Sequence, residues 1–398
     1  MPISKYSQLD KIVLGLTWCL VVALYLWPQV SKALIVSVIT GIVLIITNYK
    51  MEIHKYHLFV LQFCLYCYAT TFWSMNGYFT IEKGNTIFYT LIIMSIFYSY
   101  YRKYDDLTIL IKIIMWAGYF VVFYSYFFYG IDNLVYMDEG SDRIQNAFMN
   151  VNVIGMLASL TVIFHLYFTL FEKFSRTIFL VIPAIIVIAA TESRKAIIML
   201  ILGVVLLFFF KMRKGAQHNL IPYLKFFITM FLLLIIIMAL SETGMFSGAT
   251  ERMNGFIASI TGEGTVDSST SVRELYRQVG WNQMKETPWF GIGIGCPRIL
   301  AARQINRNAY LHCNYAEIGA GGGLVGLASY YCMYLYVIVK EFKYIKYEKF
   351  SIIILIWVMT KIITDWGSVS YYSKINYFYL MIYFLHLDLM KKKYPQIK

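Results

Sequence analysis

The chain has 398 residues, of which 59% are apolar and only 14% are charged, and its mean hydropathy is +0.61. Soluble domains carry about 25% charged residues, so this composition excludes an ordinary soluble protein and indicates a polytopic membrane protein. The formal net charge of +13 would also suit a nucleic-acid-binding protein, but the positions of the basic residues argue against one.

Apolar runs of roughly the 20 residues that one membrane crossing needs recur along the chain. They predict an all-α polytopic membrane protein with about 12 transmembrane helices. The predicted spans lie near residues 11–28, 32–49, 56–75, 85–101, 107–129, 150–172, 177–190, 195–211, 222–241, 311–338, 350–365 and 374–390. No Ala-x-Ala cleavage site follows the first span, so we expect a retained anchor rather than a signal peptide.

Lysine and arginine obey the positive-inside rule if the N-terminus is cytoplasmic. The predicted inner loops then hold nineteen of these residues, and the short outer loops hold six. We therefore expect both termini in the cytoplasm, and the basic excess indicates topology rather than a nucleic-acid partner. Arg194 and Lys195 are exceptions, because the turn TESRKA (191–196) falls on the outer side. Another requirement must keep them there.

One outer loop, residues 242–310, is 69 residues long. Within it, SVRE (271–274) has the form of a capping box with Ser271 as the N-cap. Apolar residues then follow at the spacing of one helix face: Val272, Leu275, Tyr276 and Val279. This pattern predicts an amphipathic helix over about 271–286 that ends before Pro288. The prediction divides the chain into four segments: N-terminal transmembrane helices (1–130), central transmembrane helices with outer loops (131–241), the long extracytoplasmic loop (242–310) and C-terminal transmembrane helices (311–398).

Three smaller features of the outer side have open interpretations. GIGIG (291–295) lacks the strand and helix of a dinucleotide-binding motif, so we expect its glycines to permit close backbone packing where the loop returns to the membrane domain. Arg273 and Arg277 share a helix face, which could bind an anion or could be a solvated face paired with Glu274. Cys296 and Cys313 both fall near the outer side, where a disulfide is chemically allowed.

Ionisable residues also occur at the outer end of the tenth predicted span, where His312, Asn314 and Glu317 lie close together. Such residues at membrane depth are costly and mark functional cavities. Together with the arginines of the outer turn and of the loop helix, they predict a site for an anionic ligand. The alternatives are purely structural roles. Arg194 would pair with Glu192 or reach the lipid headgroups, and His312 would only hold the loop in place.

Arginine suits phosphate because its guanidinium is permanently charged and binds in a bidentate manner. The outer side shows no aspartate-rich metal motif, so the arginines would neutralise the charge unaided. A lipid-linked diphosphate at the outer leaflet fits these requirements. No nucleotide is needed, since the lipid diphosphate is itself the leaving group.

The same residues occur in an order that resembles the O-antigen ligase and O-antigen polymerase superfamily. The matching stretches are TESR (191–194), STSVR (269–273), ETPWFGIG (286–293), HCNYAEIG (312–319), RIQNAFMNVNVIG (143–155) and IITDW (362–366). The resemblance covers roughly residues 140–370, and the first 130 residues match only in hydropathy. Cys313 stands where the family usually has the asparagine that follows its histidine, and Asn314 comes one position later.

The resemblance implies an inverting, metal-independent membrane glycosyltransferase that needs no cofactor and faces outward from the bacterial plasma membrane. The donor would be an oligosaccharide on undecaprenyl diphosphate, and the partners would be a saccharide acceptor, the lipid bilayer, a flippase and a chain-length regulator. Arg194 and Arg273, with Arg277 beside them, would bind the diphosphate. His312 would be the catalytic base, since an imidazole, whose ordinary pKa is about 6.5, suits that role. Arg143, Asn152, Asn314, Glu317 and Asp365 would support the site.

Three functions remain open on the sequence alone. The first is polymerisation of oligosaccharide repeat units for a capsule, an exopolysaccharide or an O-antigen. The second is ligation of the finished polymer to a terminal acceptor, which would use the same donor and the same motifs. The third is a lipid-linked sugar flippase or other transporter, although the chain shows neither an inverted repeat nor a pair of broken helices in its two halves.

Overall fold

The structure, a computed structural model, describes residues 7–26, 41–43, 52–131, 134, 150–215 and 268–397. All regular structure in these ranges is helical, as the sequence predicts. The α-helices in chain order are α1 Gln8–Leu26, α2 Lys55–Ala69, α3 Gly77–Tyr101, α4 Thr108–Tyr129, α5 Val151–Tyr167, α6 Val181–Ala190, α7 Arg194–Gly215, α8 Ser268–Glu286, α9 Pro297–Ile305, α10 Asn314–Tyr344, α11 Phe350–Thr364 and α12 Lys374–Lys393. Short helical segments adjoin four of them: Thr70–Trp73, Phe168–Glu172, Arg176–Leu180 and Asp365–Gly367.

Within the described ranges, six helical segments are long and apolar enough to cross a membrane. They involve α1, α4, α5, α7, α10 and α11. This agrees with a multi-pass membrane protein, while the number of twelve spans and their orientation stay predictions. The predicted span 222–241 lies outside the described residues, as does the span 32–49 apart from residues 41–43.

The chain divides into two compact units, residues 1–110 with 268–398 and residues 111–267. In the first unit, α10 packs against α2, α8, α11 and α12, and α3 packs against α2 and α12. Large aromatic side chains fill this core: Tyr56, Tyr98, Tyr330, Tyr334, Trp357 and Tyr383 are fully buried. The predicted division into four segments along the chain stays a prediction.

In the second unit, α5 packs against both α6 and α7. Gly155 of α5 makes this possible, because a Cβ atom there would lie 2.5 Å from Thr191 Oγ1 and 2.8 Å from Ala196 Cβ. The Ser159 hydroxyl also donates to the Ala196 carbonyl at 2.8 Å. The turn between α6 and α7 is therefore held tightly against α5.

The loop helix α8 confirms part of the prediction and corrects another part. It ends at Glu286, before Pro288, and buries Tyr276 and Val279 as the amphipathic pattern predicts. However, Leu275 is 48% exposed, and the helix already includes Ser268, so Ser271 is not its N-cap. The run SSTS (268–271) offers several capping residues, and the sequence pattern selected one that lies inside the helix.

The long helix α10 is broken at Gly323, where φ is +62° and ψ is −162°. The peptide groups that the break releases are bonded by the loop before α9 rather than by the helix itself. The N–H groups of Leu324 and Val325 donate to the carbonyls of Pro288 and Trp289 at 2.7 and 3.2 Å. In return, the N–H groups of Ile292 and Gly293 donate to the carbonyls of Ala320 and Gly321 at 3.0 and 2.8 Å.

The glycines of GIGIG allow this close approach, as the sequence predicts. A Cβ atom on Gly291 would lie 2.5 Å from the Ala320 oxygen. Gly293 and Gly295 have φ values of +103° and +83°, which favour glycine. Cys296 and Cys313, whose pairing the sequence left open, are both buried in this region as free thiols.

Replacing Gly323 with alanine is expected to destabilise the protein strongly. The backbone conformation there is accessible to glycine almost alone, which costs another residue about 1–3 kcal/mol, and a Cβ atom would overlap the Trp289 carbonyl group. Thermal unfolding of the detergent-purified protein measures the loss. Gly15→Ala is the control, because a Cβ atom on Gly15 of α1 meets nothing within 4 Å. Equal unfolding temperatures for the two variants would contradict the importance of the break.

Candidate functional site

His312 occupies a strained position immediately before α10. Its φ is +55°, in the left-handed region that few residues other than glycine adopt. Its neighbours Leu311 and Cys313 are fully buried, whereas the imidazole is half-buried. The buried chain on both sides fixes this conformation, and such strain is concentrated at functional positions.

Glu317, in the first turn of α10, helps to hold this conformation. Its carboxylate accepts the Leu311 N–H at 2.8 Å, and its own N–H donates to the Cys313 carbonyl at 2.9 Å. The side chain is 3% exposed. Glu317 therefore fastens both ends of the tripeptide that carries the imidazole, which supports a positioning role.

Two tyrosines flank the imidazole. Its centroid lies 4.4 Å from the ring of Tyr310 and 5.3 Å from the ring of Tyr276, which belongs to α8. Arg273 lies one turn before Tyr276 on the same helix. Burial raises the pKa of the Tyr310 phenol, and the positive charge of Arg273 acts in the opposite direction. The structure thus brings Arg273 and His312 to the same tyrosine, Tyr310.

Arg277 has different surroundings from those of Arg273. It forms an ion pair with Glu274, with Nε 2.9 Å from Oε2. The guanidinium also lies 5.8 Å from the ring centroid of Trp366, in the turn that follows α11. This agrees with the interpretation of Arg277 as a residue paired on its own helix.

Asn314 and Asp365 lie together in a buried network below the start of α10. The Asp365 carboxylate is 2.6 Å from Lys361 Nζ and accepts the Ser370 hydroxyl at 2.6 Å. The Asn314 amide oxygen accepts the N–H groups of Ser370 and Tyr371 at 2.9 and 3.0 Å. These bonds tie the turn after α11 to the start of α10, while the supporting role of Asn314 and Asp365 stays a prediction.

The second unit contains Arg194, the first residue of α7, and Asn152, near the start of α5. The Ser193 hydroxyl donates to the Asn152 amide oxygen at 3.0 Å. Glu192 is buried with φ of +47°, so the TESR turn is also strained. Asn152 therefore fixes the turn that presents Arg194. The predicted supporting residue Arg143 lies outside the described residues.

Residues 178–331 match the family described as O-antigen ligase. This match supports the resemblance to the O-antigen ligase and O-antigen polymerase superfamily over these residues. The resemblance that the motifs predict is thus confirmed. No curated protein matches the chain.

The O-antigen ligase match contains the residues that the motifs assign to the diphosphate and to the base: Arg194, Arg273, Arg277 and His312. It also contains Tyr310, which no sequence pattern singles out, and Tyr276, which the sequence pattern assigns only to the apolar face of α8. Isolated aromatic residues are no signal in a chain this rich in tyrosine. Lys361 and Asp365 lie beyond the match. The sequence does carry a signal for that pair, since the two residues are four apart in an apolar helix and therefore share a face.

Proposed function

We propose that the protein polymerises oligosaccharide repeat units carried on undecaprenyl diphosphate, at the outer face of the bacterial plasma membrane. The observation that carries the proposal is the presentation of His312. His312 lies inside the O-antigen ligase match, and its backbone is left-handed. Its imidazole lies between two tyrosine rings, one of which belongs to the helix that bears Arg273. A base beside a helix that bears a permanent cation suits glycosyl transfer from a diphosphate, because the base can take the acceptor proton and the cation can stabilise the leaving group.

In the proposed step, a hydroxyl of the acceptor sugar attacks the anomeric carbon of the donor. His312 takes the hydroxyl proton while the new C–O bond forms. The bond between the anomeric carbon and the diphosphate oxygen breaks on the opposite side, so the configuration inverts and the electron pair leaves with the diphosphate. Arg273 stabilises this developing charge, and the resemblance assigns Arg194 the same role. Stabilisation of that kind is commonly the largest catalytic contribution.

Ligation of a finished polymer to a terminal acceptor is the second candidate, because the description of the matched family favours it. Purified protein supplied only with lipid-linked repeat units distinguishes the functions. Longer lipid-linked chains support polymerisation. Transfer that requires an added acceptor supports ligation. If the protein forms no glycosidic bond, either from lipid-linked repeat units alone or with an added acceptor, polymerisation and ligation are both contradicted and transport is the remaining function. The His312→Ala variant is the control for bond formation by contaminating enzymes.

Arg273→Ala is expected to lower kcat/KM about tenfold or more beyond the effect of Arg277→Ala. Arg273 acts on the tyrosine beside the base, whereas Arg277 is paired with Glu274. A charge-assisted hydrogen bond that is lost costs about 1.5–3 kcal/mol, which corresponds to about a 10- to 100-fold change. Initial rates of glycosyl transfer by the two variants give the comparison. Equal losses would indicate a general basic face instead of a specific contact.

A further inference from the structure

A cavity of about 560 Å³ lies beside Tyr310. Its walls come from the start of α3, from α9, from the chain before α10 and from the start of α12. Tyr310 lines the cavity and also lies 4.4 Å, ring to ring, from His312. A molecule in the cavity is therefore one aromatic ring away from the proposed base.

Three cationic side chains line the cavity: Lys83, Arg298 and Lys374. Lys83 is compensated, because its ammonium group is 3.2 Å from the Glu82 carboxylate. Arg298 is oriented by a hydrogen bond from its Nε to Asn308 Oδ1 at 2.8 Å and by the Phe79 ring, whose centroid is 4.7 Å from the guanidinium carbon. Its other N–H donors remain for a ligand, since a guanidinium has five.

Lys374 is the first residue of α12 and is half-buried. Among the residues that the structure describes, neither Lys374 nor Arg298 has an ion-pair partner. Glu317, which also lines the cavity, is already bonded to the Leu311 N–H. With Lys83 and Glu82 compensating each other, Arg298 and Lys374 face one buried carboxyl group, that of Glu317, and the cavity carries one positive charge in excess when that group is ionised.

Aromatic rings complete the walls. Tyr372 lines the cavity, and its ring centroid is 4.3 Å from the Lys83 ammonium group. Tyr310 lines the side of the cavity that is nearest to His312. Each tyrosine combines an apolar ring with a polar hydroxyl. Such surfaces suit a sugar ring, which has apolar C–H faces and a hydroxylated edge.

We propose that this cavity binds the carboxylate of an acidic sugar, a uronic acid, in the saccharide acceptor. A single excess positive charge matches a monoanion, whereas a diphosphate carries more negative charge than the cavity would neutralise. This assignment rests on the function proposed above, because it places the acidic sugar beside the hydroxyl that His312 would deprotonate.

The test measures binding without turnover, using full-length protein in lipid nanodiscs and saturation-transfer NMR. The probes are a disaccharide that ends in glucuronic acid and the same disaccharide with its carboxylate reduced to an alcohol. We expect the acidic probe to bind about 10- to 100-fold more tightly, the usual effect of a charge-assisted hydrogen bond. Equal dissociation constants for the two probes would overturn the proposal.

Variants locate the binding. Arg298→Gln and Lys374→Met should each remove most of the preference for the acidic probe, while Lys285→Met, an exposed lysine of α8, should leave it unchanged. A preference that survives both cavity variants would place the acidic group elsewhere. Inorganic diphosphate serves as a competitor in the same assay. If it displaces the acidic probe and has the lower dissociation constant of the two, the cavity is a phosphate site and the proposal is contradicted.

The two proposals can fail separately. The protein could bind the acidic probe through Arg298 and Lys374 and yet form no glycosidic bond from lipid-linked repeat units. That result would support the acidic-sugar site and contradict the proposed polymerase activity. Protein that forms bonds but binds the acidic and the reduced probes equally retains the enzyme and refutes the site.

Discussion

Replacing His312 with alanine is expected to reduce turnover by about 10²–10⁴-fold, the usual contribution of a positioned acid or base. Binding of the lipid-linked donor should change little, because the arginines are proposed to hold the diphosphate. The parent should also lose activity as the pH falls, since a protonated imidazole accepts no proton, and this loss should be absent from the residual activity of the variant. Single-turnover rates at saturating donor, measured over a range of pH, check both expectations.

A second substitution separates chemistry from folding. His312 has a left-handed backbone, which alanine adopts poorly and asparagine tolerates. His312→Asn should therefore fold like the parent and still lose turnover by a similar factor. If either variant binds donor weakly but turns over normally at saturation, His312 belongs to the binding shell. The base would then have to be another group, and Asp365 is a poor candidate because Lys361 and Ser370 already occupy its oxygens.

Arg194→Lys is expected to lower activity about 10- to 100-fold, while the protein still inserts and folds. This decrease in activity corresponds to the loss of one charge-assisted hydrogen bond, which contributes about 1.5–3 kcal/mol. Lysine keeps the positive charge but loses the planar fork that binds two phosphate oxygens at once. Initial rates of glycosyl transfer measure the loss, and the elution profile of the purified variant on size exclusion shows whether it folds.

The neighbouring residue provides the matched control for Arg194. Lys195 lies in the same turn and is half-buried, as Arg194 is, so Lys195→Arg changes a cation at nearly the same place. It should leave activity close to that of the parent. Full activity of Arg194→Lys would show that the turn needs only a positive charge, which would support a topological role for the arginine and contradict the contact with diphosphate.

The sequence predicts the helical architecture well because hydropathy is a local property. Described helices correspond to the predicted spans near 56–75, 107–129 and 350–365, although α3 begins at Gly77 rather than near 85. This shift places Lys83 within a helix instead of in an outer loop. Polar residues in the first turns of α3 hide its start from a search for apolar runs.

Contacts between distant residues are what the sequence could not provide. The glycine run in α10 predicts close packing, but the break at Gly323 depends on carbonyls of residues 288 and 289, far back in the chain. Likewise, Asn314 binds the turn at Ser370 and Tyr371, and no local pattern connects these positions. The motifs predict which residues form the site, and the long-range hydrogen bonds determine how the described ones are positioned.

The broken helix α10 has a consequence for how the protein is made. Each peptide group without a hydrogen-bond partner costs several kcal/mol in the hydrocarbon of a bilayer. Residues 288–293 supply the missing partners, and they leave the ribosome before α10 does. Residues 288–293 must therefore already lie at the membrane when the glycine-rich half of α10 enters the bilayer. Correct insertion of this helix thus depends on a segment that has already been translated, and α10 is not a self-sufficient membrane anchor.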